Sequence, residues 1–218
     1  MKSSREHHLV LNRVQGKTYL ELTTAIINDG MLCAGRIANL THHVLQCSAL
    51  PGDMVEFGCH TGRTAALMAH IVPKPLWLYD SFEGLPERVT QDAGSLEHFK
   101  RGSLAVDETH VQRWFKKFKL REPRVYKSWF SRVHYSWLPD VICFAHLDGD
   151  MYTSIHDSIR LVYPRLVKGG VCLIDDYGWE GTGGVKLAAD EYMADKPEKV
   201  KPLNTGNDWG FQGIIVKI

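Results

Sequence analysis

A parallel α/β fold is predicted for this chain by three features of its sequence. Short apolar runs bounded by turn residues recur along it, stretches with helical apolar spacing separate them, and three of the runs end in a carboxylate. Strand and helix signals in alternation belong to a parallel sheet covered on both faces, not to a sandwich or a bundle. At 218 residues, 44% hydrophobic and 23% charged, the chain suits one folded domain with a single core. Disorder, a collagen-like repeat and a coiled coil are excluded by the same proportions.

The opening thirty residues interrupt their apolar positions with charges every few residues. They therefore carry neither the apolar centre of a secretory signal nor the run of about 20 apolar residues that spans a bilayer, and a cytoplasmic protein is expected. Ile37, Leu40, Val44 and Leu45 repeat at helical spacing and mark the first buried helix face. The run Asp53–Phe57 (DMVEF) reads as the first strand, and Ala65, Met68, Ala69 and Val72 as the helix that follows it. Leu76–Asp80 (LWLYD) is the second strand. Asp107 to Arg124 mixes aromatic and basic residues and reads as an amphipathic helix that packs Val111, Trp114, Phe115 and Phe118 while its cations face water. Strands are then expected at Val125–Lys127, Val141–Asp148, Gly170–Asp176 and Phe211–Ile218. Ile155, Ile159, Val162 and Leu166 form one more helical stripe, cut short by Pro164, which lacks an amide donor.

Lys plus Arg number 26 against 25 Asp plus Glu, a formal net charge of +1, too small to supply the electrostatic affinity of a nucleic-acid binder. Cys33, Cys47, Cys59, Cys143 and Cys172 are odd in number and widely spaced, so free thiols are expected. The eleven histidines include adjacent pairs but no spacing that would set two imidazoles on one helix face for a metal.

In an open parallel sheet, ligands bind beyond the carboxyl ends of the strands. After the first strand comes Glu56-Phe57-Gly58-Cys59-His60-Thr61-Gly62-Arg63-Thr64, a glycine-bearing turn that opens a helix whose first amides favour an anionic group. The dinucleotide pattern GxGxxG is not met, which argues against NAD. Asp80 ends the second strand, 24 residues after Glu56, where a carboxylate accepts from the two hydroxyls of a ribose. A tight turn followed by an ordinary helix start is the plainer reading of the same residues.

Leu147-Asp148-Gly149-Asp150-Met151-Tyr152 ends one strand and Asp175-Asp176-Tyr177 the next. If those strands lie side by side, about 4.8 Å apart, several carboxylates meet at one corner. Each like-charged pair at about 4 Å would repel by about 4 kcal/mol at an effective dielectric near 20, so something positive is expected among them. A hard divalent cation such as Mg²⁺, held by Asp148, Asp175 and Asp176, meets that need. In the alternative arrangement Asp148 caps a helix, Asp150 faces solvent and Asp175 pairs with a Lys or Arg.

Together these blocks resemble the metal-dependent macrocin O-methyltransferase family, which uses S-adenosylmethionine to methylate sugar hydroxyls of glycosylated natural products. The similarity lies in PGDMVEFGCHTGRTA (Pro51 to Ala65), YDSFEGLP (Tyr79 to Pro86), LDGDMYTS (Leu147 to Ser154), YPRLVKGG (Tyr163 to Gly170) and IDDYG (Ile174 to Gly178), and spans about Gly35 to Trp179. It implies a Rossmann-like class I methyltransferase fold: a mostly parallel seven-stranded sheet with helices on both faces and an antiparallel last strand, here Phe211 to Ile218. It further implies a lid or substrate arm over residues 1–34 and the methyltransferase domain over 35–218. Glu56, Gly58, Cys59, His60, Thr61 and Gly62 would line the methionine and ribose side of the cofactor. Asp80 and Ser81 would hold the ribose, and Ser128, Trp129 and Phe130 would border the adenine, although Trp129 and Phe130 also read as core residues. Asp148, beside the cofactor, would hold the metal together with Asp175 and Asp176. His60 departs from the pattern, since many methyltransferases carry glycine there.

The expected chemistry is methyl transfer to an oxygen aligned behind the sulfonium methyl at about 3 Å. Mg²⁺ would bind two adjacent hydroxyls of a small-molecule acceptor, with Asp148 as the catalytic proton acceptor or the group that orients it, and Asp150 and His146 as the next candidates. The rival readings are a catechol or phenol O-methyltransferase of the same fold, a nicotinamide-dependent oxidoreductase, and a cofactor-binding module without chemistry. No nucleic-acid or membrane partner is expected, and a homo-oligomer is left open.

Overall fold

The structure, a computed structural model, describes residues 16–28, 30, 32–206 and 211–218. Its elements run α1 (Lys17–Asn28), α2 (Ala34–Gln46), β1 (Asp53–Phe57), α3 (Arg63–Ile71), β2 (Leu76–Asp80), α4 (Thr109–Lys117), β3 (Arg124–Lys127), β4 (Ile142–Leu147), α5 (Tyr152–Val162), β5 (Leu166–Ile174), α6 (Gly183–Met193), β6 (Lys201–Asn204) and β7 (Phe211–Val216). The seven strands form one sheet in the order β3-β2-β1-β4-β5-β7-β6. The first five are parallel, and β7 runs antiparallel to both β5 and β6. This is the class I methyltransferase arrangement expected from the sequence.

The apolar runs form strands because both of their faces are covered. β4 is buried throughout, and β1 is buried from Met54 to Phe57. Alternate side chains feed two cores. On one face Met54, Leu78 and Phe144 pack with Leu22 of α1, Leu40 of α2, Leu67 of α3 and Phe115 of α4. On the other, Val55, Tyr79 and Ala145 pack with Ile155 of α5 and Val185 of α6. Chain order reverses between β1 and β4, which opens a crevice at their carboxyl ends. Pairing of Phe57 with Leu147, and of Leu147 with Ile174, brings the residues after β1, β4 and β5 to one edge of that crevice.

Several boundaries differ from the sequence reading: β3 begins at Arg124, β4 runs Ile142–Leu147, and the amphipathic helix covers only Thr109–Lys117. The helical stripe ending in Leu166 stops at Val162: Pro164 tightens Tyr163–Arg165 into a 3₁₀ turn, and Leu166 opens β5 opposite Ile142. β5 therefore starts four residues before the expected Gly170 and ends at Ile174, so Asp175 and Asp176 belong to the following turn. The last strand stops at Val216. β6 was not foreseen, because its sequence KPLN has no apolar alternation; Pro202 is tolerated there on an edge strand.

Within the arm expected over residues 1–34, residues 1–15, 29 and 31 lie outside the described residues. Leu22 and Ile26 of α1 are buried in the same core as α3, so this helix packs as part of the domain. The amphipathic segment folds as α4 with Val111 and Phe115 fully buried. All five cysteines are free thiols, and no helix among the described residues is long and apolar enough to cross a membrane.

Gly58 shows how tightly the crevice is built. Its backbone is left-handed (φ 88°), and a Cβ there would lie 1.7 Å from the carbonyl oxygen of Asp148. Neither backbone can yield without separating β1 from β4. Gly58→Ala is expected to cost about 3 kcal/mol or more of stability, read as a lowered urea midpoint at unchanged slope.

Candidate active site

A cavity of about 290 Å³ occupies the crevice. Gly58, His60, Asp80 and Ser81 line one end, with Trp129 and Phe130 beside them. Asp148, Asp150, Asp175, Asp176 and Arg36 line the other, and Leu85, Phe99, Leu104 and Trp179 also border it.

At the first end, Asp80 secures two turns at once. Its Oδ2 accepts from the His60 amide at 2.8 Å and its Oδ1 from the Phe82 amide at 2.7 Å. His60 holds a left-handed backbone (φ 47°), the conformation that a glycine at this position would adopt without strain. Each oxygen of Asp80 keeps a further lone pair for a ribose hydroxyl. The Ser81 hydroxyl donates to the Gly84 carbonyl and accepts from the Glu83 amide. Gly62 precedes the first residue of α3, also with positive φ.

Not every residue expected at the cofactor borders the cavity. Glu56 lies beneath its floor, fully buried, with Oε1 bonded to His146 Nδ1 at 2.8 Å. Cys59 faces the core, and burial together with Asp80 and Glu56 drives its thiol pKa well upward. Cys59 and Thr61 instead line a smaller void of about 50 Å³ under α1, where Thr61 Oγ1 accepts from Arg63. The amide of Ser128 holds the Asp80 carbonyl, and its hydroxyl donates to the Trp129 carbonyl. Phe130 fits both readings, since it lines the cavity and meets Phe57 edge-on at 5.1 Å.

At the second end the four aspartates converge. The Asp148 amide donates to the Phe57 carbonyl and the Asp175 amide to that of Leu147, so β1, β4 and β5 set the spacing. Asp150 (φ 58°) and Asp176 (φ 56°) hold left-handed backbones, an energetic cost that recurs at functional positions. Ligand atoms of Asp148, Asp150 and Asp176 lie within 4.8 Å of one another, as do those of His146, Asp148 and Asp175. The expected trio of Asp148, Asp175 and Asp176 is thus divided between two groups that share Asp148.

The alternative arrangement holds in one respect only. Asp175 does pair with an arginine: Arg36 Nη1 lies 3.3 Å from Asp175 Oδ2 and 2.5 Å from Asp176 Oδ1. Asp150 lines the cavity, and the N-cap of α5 is Met151, not Asp148. The first amide of α5, that of Tyr152, donates instead to Asp92 Oδ1 at 2.8 Å. With one guanidinium against four carboxylates, the site retains an excess of negative charge when all are ionised. Hard oxygen donors in such excess suit a divalent cation, as does the buried His146 Nε2, which has no hydrogen-bond partner.

Sequence reasoning missed Arg36, Asp92 and Gln212, whose Nε2 donates to Asp175 Oδ1 at 2.8 Å. For Arg36 a signal existed: it lies four residues before Leu40, on the buried side of α2.

Burial and the neighbouring carboxylates push the pKa values of Asp148 and Asp150 well up, with Arg36 opposing. Asp176 is pushed up to about 6 by burial and Asp175. For His146 burial opposes protonation, but the hydrogen bond and charge of Glu56 outweigh it and raise the pKa. Carboxyl groups raised in this way are protonated in the fold at a pH where the unfolded chain is ionised. Their stabilising contribution is complete below about pH 4, the unfolded value, and is lost as pH rises through the folded value, about 6 for Asp176. In EDTA the melting temperature should therefore fall between about pH 4 and pH 7, and less steeply in Asp150→Asn. Identical profiles for the two proteins would contradict mutual repulsion at this site.

The demethyldecarbamoylnovobiocin O-methyltransferase of Streptomyces niveus is 34% identical over 158 residues, which is 66% of this chain and 59% of that protein. The 8-demethyl-8-(2,3-dimethoxy-alpha-L-rhamnosyl)-tetracenomycin-C 4'-O-methyltransferase of Streptomyces olivaceus is 31% identical, covering 65% and 60%. This chain spans about three fifths of the length of these curated relatives. The solved structure of the O-methyltransferase NovP superposes with a TM-score of 0.71 at 26% identity, over 84% of this chain and 79% of that one. The family match itself extends over residues 10–209, through both ends of the crevice, and the chain belongs to the macrocin O-methyltransferase (TylF) family.

Proposed function

We propose that this protein is an S-adenosylmethionine-dependent O-methyltransferase that methylates a sugar hydroxyl of a glycosylated small molecule with the help of Mg²⁺. One observation carries the reading: a single cavity joins a glycine turn stapled by Asp80 to a cluster of four aspartates at the tips of β4 and β5. The two relatives above are named for O-methylation of demethyldecarbamoylnovobiocin and of a rhamnosyl-tetracenomycin C, and the second name supports a glycosylated acceptor.

When bound, S-adenosylmethionine supplies an electrophilic methyl group, and a divalent ion on the aspartates lowers the pKa of a hydroxyl at that end. The remaining work falls to the chain. Asp80 accepts the ribose hydroxyls, and Trp129 and Phe130 flank the base. Asp148, common to both metal-capable groups, would be the central ligand, with Asp175 in one group and Asp176 in the other. Asp150, which lines the cavity at the same corner, would accept the hydroxyl proton, with Asp148 orienting it. Leu85, Phe99 and Trp179 keep water from the reacting end.

Calorimetry with S-adenosylhomocysteine and a methyl-transfer assay with glycosides bearing adjacent hydroxyls test this reading. Asp148→Asn should bind the cofactor product within a few-fold of the original protein while transfer falls by about 100-fold or more. EDTA should abolish transfer and Mg²⁺ restore it. Transfer to a catechol but to no glycoside would move the acceptor class to phenols, and failure to bind S-adenosylhomocysteine would refute the reading.

A further inference from the structure

The proposed chemistry uses the aspartates but leaves Arg36 unexplained. Among the described residues it is the largest fully buried side chain, 2% exposed, and it lies outside the sheet on α2. It points at the tip of β5, bridging Asp175 and Asp176, and it borders the cavity. Asn39, one turn further along α2, reaches the same place indirectly. Its Nδ2 donates to Gln212 Oε1 at 3.0 Å, and Gln212 passes the contact on to Asp175. Residues three apart share a helix face, so α2 presents one polar edge to the acidic cluster through two routes.

A guanidinium stays protonated at any pH the protein meets and can serve two carboxylates with a fixed fork of donors. Bringing four carboxylates into one enclosed corner is strongly unfavourable without such a partner. We propose that Arg36 is the resident counter-cation of the site, a positioning residue that keeps Asp175 and Asp176 together and aimed into the cavity before any divalent ion binds. One positive charge does not neutralise the cluster, so an ion can still enter. The two cations then repel each other across the shared carboxylates. Arg36 thus lowers the affinity for the ion while removing the need for it in folding.

The test is a thermodynamic cycle read by thermal melting in EDTA, with Arg36→Gln, Asp175→Asn and the double variant beside the original chain. Asparagine retains an oxygen for the Gln212 amide. Arg36→Gln is expected to melt lower by roughly 6 °C or more, and the double variant to regain at least half of that loss because the uncompensated charge is gone. A role limited to tying α2 to the sheet gives no recovery, so a double variant that melts at or below Arg36→Gln overturns the proposal. Folding of the double variant where Arg36→Gln alone fails to fold counts as recovery, and failure of both overturns it.

The same four proteins are then melted with Mn²⁺ as the probe ion. This arm rests on the metal reading above, and a larger upward shift in Arg36→Gln than in the original chain is expected. An equal shift in the two overturns the repulsion between Arg36 and the ion. Mn²⁺ that shifts none of the four refutes the metal reading, while the EDTA cycle decides the role of Arg36 independently.

Discussion

Four carboxylates at the tips of two adjacent strands repel one another, and much of the surrounding structure holds them there against that force. A parallel pairing of β4 with β5 places Asp148 and Asp175 side by side whatever their charge, because the ladder bond from the Asp175 amide to the Leu147 carbonyl ties the backbone. Two of the four, Asp150 and Asp176, are turned inward by left-handed backbones that ordinary residues avoid. Burial first, and this crowding second, raise the proton affinity of Asp148, Asp150 and Asp176. The fold answers it with one guanidinium and leaves a surplus of negative charge, so this corner differs from a neutralised core.

The opposite end of the cavity obeys a different constraint, the close approach of two backbones. Gly58 lets β1 and β4 meet at the cavity floor, and Asp80 consumes the amides of His60 and Phe82 that would otherwise be left unpaired in the two turns. Beneath the floor, Glu56 and His146 form a buried pair across β1 and β4. Its place in the sheet, not in the cavity, means that the acidic residue of the glycine turn contributes to how the two strands register more than to what the cavity holds.

Much of this was legible in the sequence because it is local or periodic. Runs such as DMVEF and VICFAHLD are mostly apolar and read as interior strands, and the carboxylates at their ends stand where an open sheet leaves its ligands. Arg36 escaped notice because its meaning lies 139 residues away in Asp175, a distance that no periodicity spans. Asp92 acts as a cap for a helix 60 residues later, whereas capping is ordinarily read from the residue just before a helix. Leu166 continued the apolar stripe of α5 in register and was moved to β5 only by the break at Pro164. β6 carries no pattern of its own and exists because β7 offers it an edge.

The long connection between β2 and α4 shows how one hydrogen bond can relate two halves of a site. Arg88 donates to the carbonyls of Leu96 and Phe99 and so folds this segment back on itself, setting Phe99 edge-on against Trp179 at 5.7 Å. Asp92, buried in the same segment, accepts from the Val89 amide and from Tyr152, two residues beyond Asp150. Gly184 of α6 leaves the space for that carboxylate, since a Cβ there would lie 2.1 Å from Asp92 Oδ1. The wall made by Leu85 and Phe99 is therefore keyed to the acidic motif through α5 and not merely draped over it. A change in the loop that displaced Asp92 would also shift the start of α5 and with it Asp150, so the wall of the cavity and the acidic corner are mechanically one unit.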